Sequence, residues 1–160
     1  MRIALAADHA GVDLKDLLVA WLREAGHDVS DLGTHGHDSV DYPEYGAKLA
    51  DAVARGDAER GIAVCGSGIG VSIAVNRNPA CRCARVSDPL SAQLAREHND
   101  ANVLALGARL IGSDMAKACT AVFLDTDFAG GRHQRRVDQI TRIENGELPA
   151  EPLEATKEAN

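Results

Sequence analysis

The chain moves between two hydrophobic rhythms. Short apolar runs at residues 2–7, 27–32, 61–64, 82–86 and 102–105 have the length and the flanking breakers of buried strands. The segments between them repeat apolar residues at helical spacing. Leu14, Leu17, Leu18, Trp21 and Leu22 mark a helix over 11–25 that stops at Gly26. Leu49 and Val53 mark a helix over 44–54, opened by Pro43 and closed near Gly56. A short helix follows the glycine-rich stretch 65–70 and runs to Asn76, before Pro79 breaks the chain. Ser87-Asp88-Pro89 opens a helix over 90–97, which His98-Asn99-Asp100 is expected to end. Further helices are predicted over 113–124 and, after Gly130-Gly131, over 132–144.

Strands that alternate with helices pair in parallel and carry helices on both faces. The predicted fold is therefore α/β: a three-layer α/β/α sandwich, Rossmann-like, with a five-stranded, mainly parallel sheet. Residues 1–145 are expected to form one domain. Residues 146–160 hold two prolines and four glutamates and are expected to form a flexible tail.

Composition narrows the class. Aromatic residues make up 3% of the 160 residues, so Ala, Val, Leu and Ile must fill the core. No apolar run reaches the length of a membrane span. The first apolar run is too short for a leader and meets Asp8-His9 at once, which predicts a cytoplasmic protein. Net charge is −7, which argues against non-specific nucleic-acid binding. Basic residues nevertheless cluster at Arg132, Arg135 and Arg136, as a small anionic ligand requires.

In such folds ligands bind at the carboxyl ends of the strands. Asp8-His9, Cys65, Ser87-Asp88 and Arg109 all fall there. Cys65-Gly66-Ser67-Gly68-Ile69-Gly70 puts a thiol beside glycines at alternate positions, where backbone N–H groups can converge on an anion. The pattern is neither a dinucleotide nor a Walker loop, nor the elbow of a serine hydrolase. Three roles are open to Cys65: a buried structural thiol, a nucleophile, or a base acting on a carbon-bound proton. Arg132 and Arg136 are four apart and share a helix face, a geometry suited to phosphate. His98 beside Asn99, and His9 beside Asp8, are further candidates. Cys81-Arg82-Cys83 lacks the spacing of a zinc pair and reads as structural. His35-Gly36-His37-Asp38 lacks a third ligand and reads as a polar loop.

Five segments together resemble the type B ribose-5-phosphate isomerases, a family that also holds allose- and galactose-phosphate isomerases. They are Asp8-His9-Ala10-Gly11, Asp41-Tyr42-Pro43, the 65–70 loop, the run 95–104 and Gly131-Arg132-His133-Gln134-Arg135-Arg136-Val137. The resemblance spans residues 2 to about 145. It implies an aldose–ketose isomerase that needs no metal and no cofactor. Such an enzyme interconverts D-ribose 5-phosphate and D-ribulose 5-phosphate, a step of the pentose phosphate pathway, through a cis-enediolate. Cys65 would be the base, since Val71 stands where some members carry a glutamate. Ser67 would assist the thiol, although many members have threonine there. The loop from Gly66 through Gly68 and Ile69 to Gly70, with Asn99, would hold the enediolate. His98, partnered by Asp8, would open the sugar ring. His9, Arg109, Arg132 and Arg136 would bind phosphate, and Tyr42 would line the sugar site. The resemblance also implies a homodimer or homotetramer with active sites shared between subunits. Another phosphorylated sugar (a tetrose, allose or galactose phosphate) and a non-catalytic sugar-phosphate-binding module remain the alternatives.

Overall fold

A computed structural model describes residues 1–147. The elements are β1 (Arg2–Ala7), α1 (Val12–Glu24), β2 (Asp28–Asp31), α2 (Tyr42–Ala54), β3 (Arg60–Cys65), α3 (Ile69–Val75), β4 (Cys83–Arg85), α4 (Pro89–Asn99), β5 (Val103–Gly107), α5 (Ser113–Asp125) and α6 (Arg132–Glu144). Every strand pair is parallel, and the order across the sheet is β2-β1-β3-β5-β4. Connections from β1 and from β3 leave in opposite directions, so the sheet changes winding between these two strands. A crevice opens there, outside their carboxyl ends.

Alternation along the strands divides the core into two layers. Ile3, Leu5, Ile62, Val64, Leu104 and Leu106 face α1, α4 and α5, where Leu18, Leu22, Cys119 and Phe123 meet them. Ala4, Ala6, Ala63, Cys65 and Ala105 face α2 and α3, with Leu49, Val71 and Val75. The second layer is built from small residues, and α2 packs tightly onto it. A Cβ added to Gly61 would lie 3.3 Å from the Leu49 side chain. The arrangement is the three-layer Rossmann-like sandwich that the alternation predicts.

The structure moves some boundaries. The helix expected over 90–97 continues through His98 and Asn99 and ends at Asp100, whose φ of +44° supplies the left-handed turn. Asp88 caps its start, accepting from the Ser91 amide at 2.8 Å. Cys65 belongs to β3 itself, and β5 extends to Gly107 because both strands have neighbours on each side. The edge strand β4 has one neighbour and shrinks to three residues. From residue 148 on, the expected tail lies outside the described residues.

One buried ion pair ties α1 to the end of β2. Lys15 is fully buried, and its Nζ donates to both carboxylate oxygens of Asp31 at 2.7 Å and to Asp16 at 2.5 Å. Asp31 also accepts from the Gly33 amide at 3.0 Å. Burial alone would raise the Asp31 pKa, but Lys15 and the Gly33 amide outweigh it and hold the carboxyl below its usual 3.8. A depressed carboxylate contributes stability above its unfolded pKa and loses it as pH falls through its folded pKa. Lys15→Met leaves Asp31 without its cation and should cost about 3 kcal/mol at pH 7 in urea unfolding. The gap between wild type and variant should close as pH falls through 3.8 and below. A loss under about 1 kcal/mol, or a gap indifferent to pH, would contradict the assignment.

Candidate active site

The crevice between β1 and β3 holds a cavity of about 410 Å3 lined by Asp8, His9, Tyr42, Cys65, Gly66, Ser67, Gly70 and Arg109. Asp8, His9, Cys65, Gly66, Ser67 and Arg109 come from strand ends and the turns that follow them, Tyr42 from the start of α2 and Gly70 from the first turn of α3. Asp8 follows β1 directly. It is buried, and its carboxylate accepts from the amides of Ala10 at 2.9 Å and Gly11 at 3.1 Å. That turn packs against β3 so closely that a Cβ on Gly11 would come within 2.7 Å of the Val64 carbonyl. His9 engages the Val40 backbone through Nδ1 at 3.2 Å, so Nε2 is the ring nitrogen left for a ligand.

Cys65 ends β3 and is 4% exposed. Its Sγ accepts a hydrogen bond from the Gly68 amide at 3.1 Å. Gly68 reaches that position with φ +75°, and a Cβ there would lie 2.9 Å from the Leu106 carbonyl carbon. Only glycine meets both demands. The Ser67 hydroxyl does not touch the thiol. It accepts from the Ile69 amide at 3.2 Å, so the expectation that Ser67 assists Cys65 gives way to the Gly68 N–H in that place. The Ile69 amide is occupied by the same bond. The Tyr42 ring lies over Gly70, where a Cβ would fall 2.6 Å from it. The Arg109 guanidinium lies 3.3 Å from the Cβ position of Gly66, and the Arg109 amide donates to the Gly66 carbonyl at 3.0 Å.

The remaining thiols have other surroundings. Burial pushes Cys81 up to about 11 and Cys83 up to about 12, and it raises Cys119 as well. These groups stay protonated, in keeping with structural cysteines. His37 pairs with Asp13 at 2.8 Å while His35 faces Asp31 at 3.7 Å, so the two histidines serve different carboxylates.

His98, Asn99, Arg132 and Arg136 do not join this cavity. Helix α4 runs back along the sheet and ends at the amino edge, where Arg82, just before β4, donates to the carbonyls of Asn99 and Asp100, both at 3.0 Å. Cys65 lies at the opposite edge, roughly 16 Å away along β3 at 3.3 Å per residue. Asp8 and His98 therefore do not meet within one chain. A second cluster forms instead. The His98 ring stacks on His133 with centroids 4.2 Å apart and planes 7° from parallel. Arg132 and Arg136 flank His133 on α6. Burial, His98 and these two guanidiniums push the His133 pKa down, which favours a neutral ring.

Two contacts of the site region escape a reading by motif spacing. His133 stands in the basic cluster of the sequence, but its burial and its stacking on His98 appear only in the fold. Arg85 ends β4 and donates from Nε to the Ser67 carbonyl at 3.1 Å, bracing the glycine turn. It carries no local sequence signal, because the contact spans 18 residues.

The profile of the Ribose/Galactose Isomerase family matches residues 3–140. Ribose-5-phosphate isomerase B of Escherichia coli is 47% identical over 143 residues, which cover 89% of this chain and 96% of that protein. The structure of Clostridium thermocellum ribose-5-phosphate isomerase B superposes with a TM-score of 0.91 at 45% identity, covering 92% of this chain and all of the other (100%). That of ribose-5-phosphate isomerase B from Mycoplasma genitalium with bound ribulose-5-phosphate gives 0.86 at 38% identity, covering 90% and 96%. The match takes in both clusters of polar groups, and the chain belongs to the ribose/galactose isomerase family.

Proposed function

We propose that this protein interconverts D-ribose 5-phosphate and D-ribulose 5-phosphate, with Cys65 as the base. The observation that carries the proposal is the thiol at the floor of the crevice, held by the Gly68 amide beneath an arginine. The sulfur lies at a strand end, with a backbone N–H on it and an arginine beside it, where a sugar phosphate can reach it. Relatives named for the same reaction, one with ribulose-5-phosphate bound, support it.

In this mechanism His98 opens the furanose by moving a proton between the ring oxygen and the anomeric hydroxyl. Cys65 then takes the C2 proton of the open aldose, and the electron pair passes to the carbonyl oxygen at C1. The loop amides that Cys65 and Ser67 do not occupy, together with Asn99, hold the resulting enediolate. The C2 hydroxyl proton moves to the C1 oxygen, and Cys65 returns its proton to C1. His9, Arg109, Arg132 and Arg136 hold the phosphate, and Tyr42 walls the sugar. The step balances without an outside oxidant or metal.

Because the two clusters lie at opposite edges, a complete site needs two copies of the chain. The crevice of one copy meets His98, Asn99, Arg132 and Arg136 of the other, and there Asp8 reaches the second copy's His98. Exposed Ile69 and Ile73, one turn apart on α3 beside the crevice, give apolar surface for that contact. A homodimer is the smallest assembly that meets the need. Residues 1–145 act as the isomerase domain, and a soluble sugar phosphate places the work in the cytoplasm. Among the described residues no helix is long and apolar enough to cross a membrane.

Two outcomes test the roles. Cys65→Ser should abolish turnover of ribose 5-phosphate, assayed with EDTA present, while binding of the sugar phosphate persists. Activity equal to wild type would remove Cys65 from the chemistry. Arg136→Ala should raise KM by about 2 kcal/mol, roughly 30-fold, with a smaller change in kcat. An unchanged KM would place the phosphate elsewhere.

A further inference from the structure

Arg96 is one of the most buried charged residues of the described chain, with its side chain 3% exposed. It sits on α4 just before His98 and Asn99, and its guanidinium reaches three acceptors on two separate segments. Nη1 donates to Asp100 Oδ1 at 2.8 Å and to the Ala101 carbonyl at 2.6 Å, and Nε donates to the Thr126 carbonyl at 3.2 Å. The Phe123 ring lies 5.8 Å beneath it. Asp100 is the residue at φ +44°, a left-handed conformation that a non-glycine residue adopts only when its surroundings hold it there. Its second carboxylate oxygen accepts from Arg82 Nη2 at 2.8 Å, so two guanidiniums fix this turn.

The third contact links the two parts of the second cluster. Thr126 begins the segment that leads into α6, and the Ala129 amide of that segment donates to the Glu97 carbonyl at 3.1 Å. Both bonds tie the entry of α6 to the end of α4. Arg132 and His133 are the first residues of α6, and His133 stacks on His98. An isolated buried guanidinium carries a heavy desolvation cost, which here is met by acceptors on the segments that hold site residues.

We infer that Arg96 is a positioning residue: its guanidinium joins the helix end bearing His98 and Asn99 to the helix start bearing Arg132 and His133, so that ring opening and phosphate binding act from one rigid unit. The inference rests on the isomerase function proposed above. A lysine has one ammonium and cannot hold three divergent acceptors in the plane of a fork. Small displacements of positioned groups cost large factors in rate.

The test is Arg96→Lys, with Asp100→Gly as a second variant. Glycine suits φ +44°, so Asp100→Gly frees the guanidinium from its carboxylate without backbone cost, while Arg96→Lys breaks the fork itself. Turnover of ribose 5-phosphate should show kcat lowered and KM raised, each by roughly tenfold or more. Imidazole NMR signals of His98 and His133 should lose the shift their stacking produces. Alkylation of Cys65 by iodoacetamide should keep its wild-type rate, since the crevice is untouched. Wild-type kcat, KM and imidazole shifts in a folded variant, whatever its Tm, would overturn the inference. If the wild type turns over no sugar phosphate, the isomerase proposal fails by itself, and the imidazole shifts still decide whether Arg96 sets the His98–His133 geometry.

Discussion

A sheet in which every strand is parallel has two chemically different edges. Loops leaving the strands gather at one, and the ends of returning helices gather at the other. In this chain that constraint separates Cys65 from His98. The thiol ends β3, while the histidine ends α4, which runs back to the entry of β5. No side-chain rotation brings them together, because the length of the sheet lies between them. On the proposed mechanism, the same constraint leaves each copy with two partial sets of groups, one with Cys65 and the glycine turn, the other with His98, Asn99 and a pair of arginines.

Each half is rigid for its own reason. In the crevice, backbone geometry does the holding: Gly68 takes a left-handed φ, lies against Leu106 and turns its amide onto the Cys65 sulfur. Arg85 and Arg109 brace the same turn through the carbonyls of Ser67 and Gly66. In the other half, charge pairing does it, with buried Arg96 and half-buried Arg82 both on the Asp100 carboxylate. Glycine amides suit an anion that forms and vanishes within a cycle, since they are oriented beforehand and need no movement. The three remaining cysteines lie away from the crevice, and burial raises their pKa values.

Much of the fold was legible in the sequence because its signals are local. β1 and α6 lie where the apolar run and the glycine pair place them, and the Asp88-Pro89 cap opens α4 as its residues require. Local signals fail at His98-Asn99-Asp100. Polar residues there read as a break, yet the helix continues until Asp100, held by guanidiniums distant in the chain or buried in the fold. The crevice residues were legible because strand ends carry sites in this class of fold. The Ser67 hydroxyl was assigned to the thiol by pattern, whereas turn geometry gives it to the Ile69 amide. Lys15, Arg85 and Arg96 were given no role, since a charged residue shows its role only when the fold brings its partners to it.

The claim on which the rest stands is that one active site draws its two halves from two chains. Mixing subunits tests it most directly. Cys65→Ser and His98→Ala chains, each inactive on ribose 5-phosphate, are unfolded together, refolded at equal concentration and assayed. A mixed dimer then holds one site with both defects and one site with neither. Random pairing should restore about a quarter of the wild-type specific activity. A mixture no more active than either variant alone would show that each chain completes its own site, and would contradict the account.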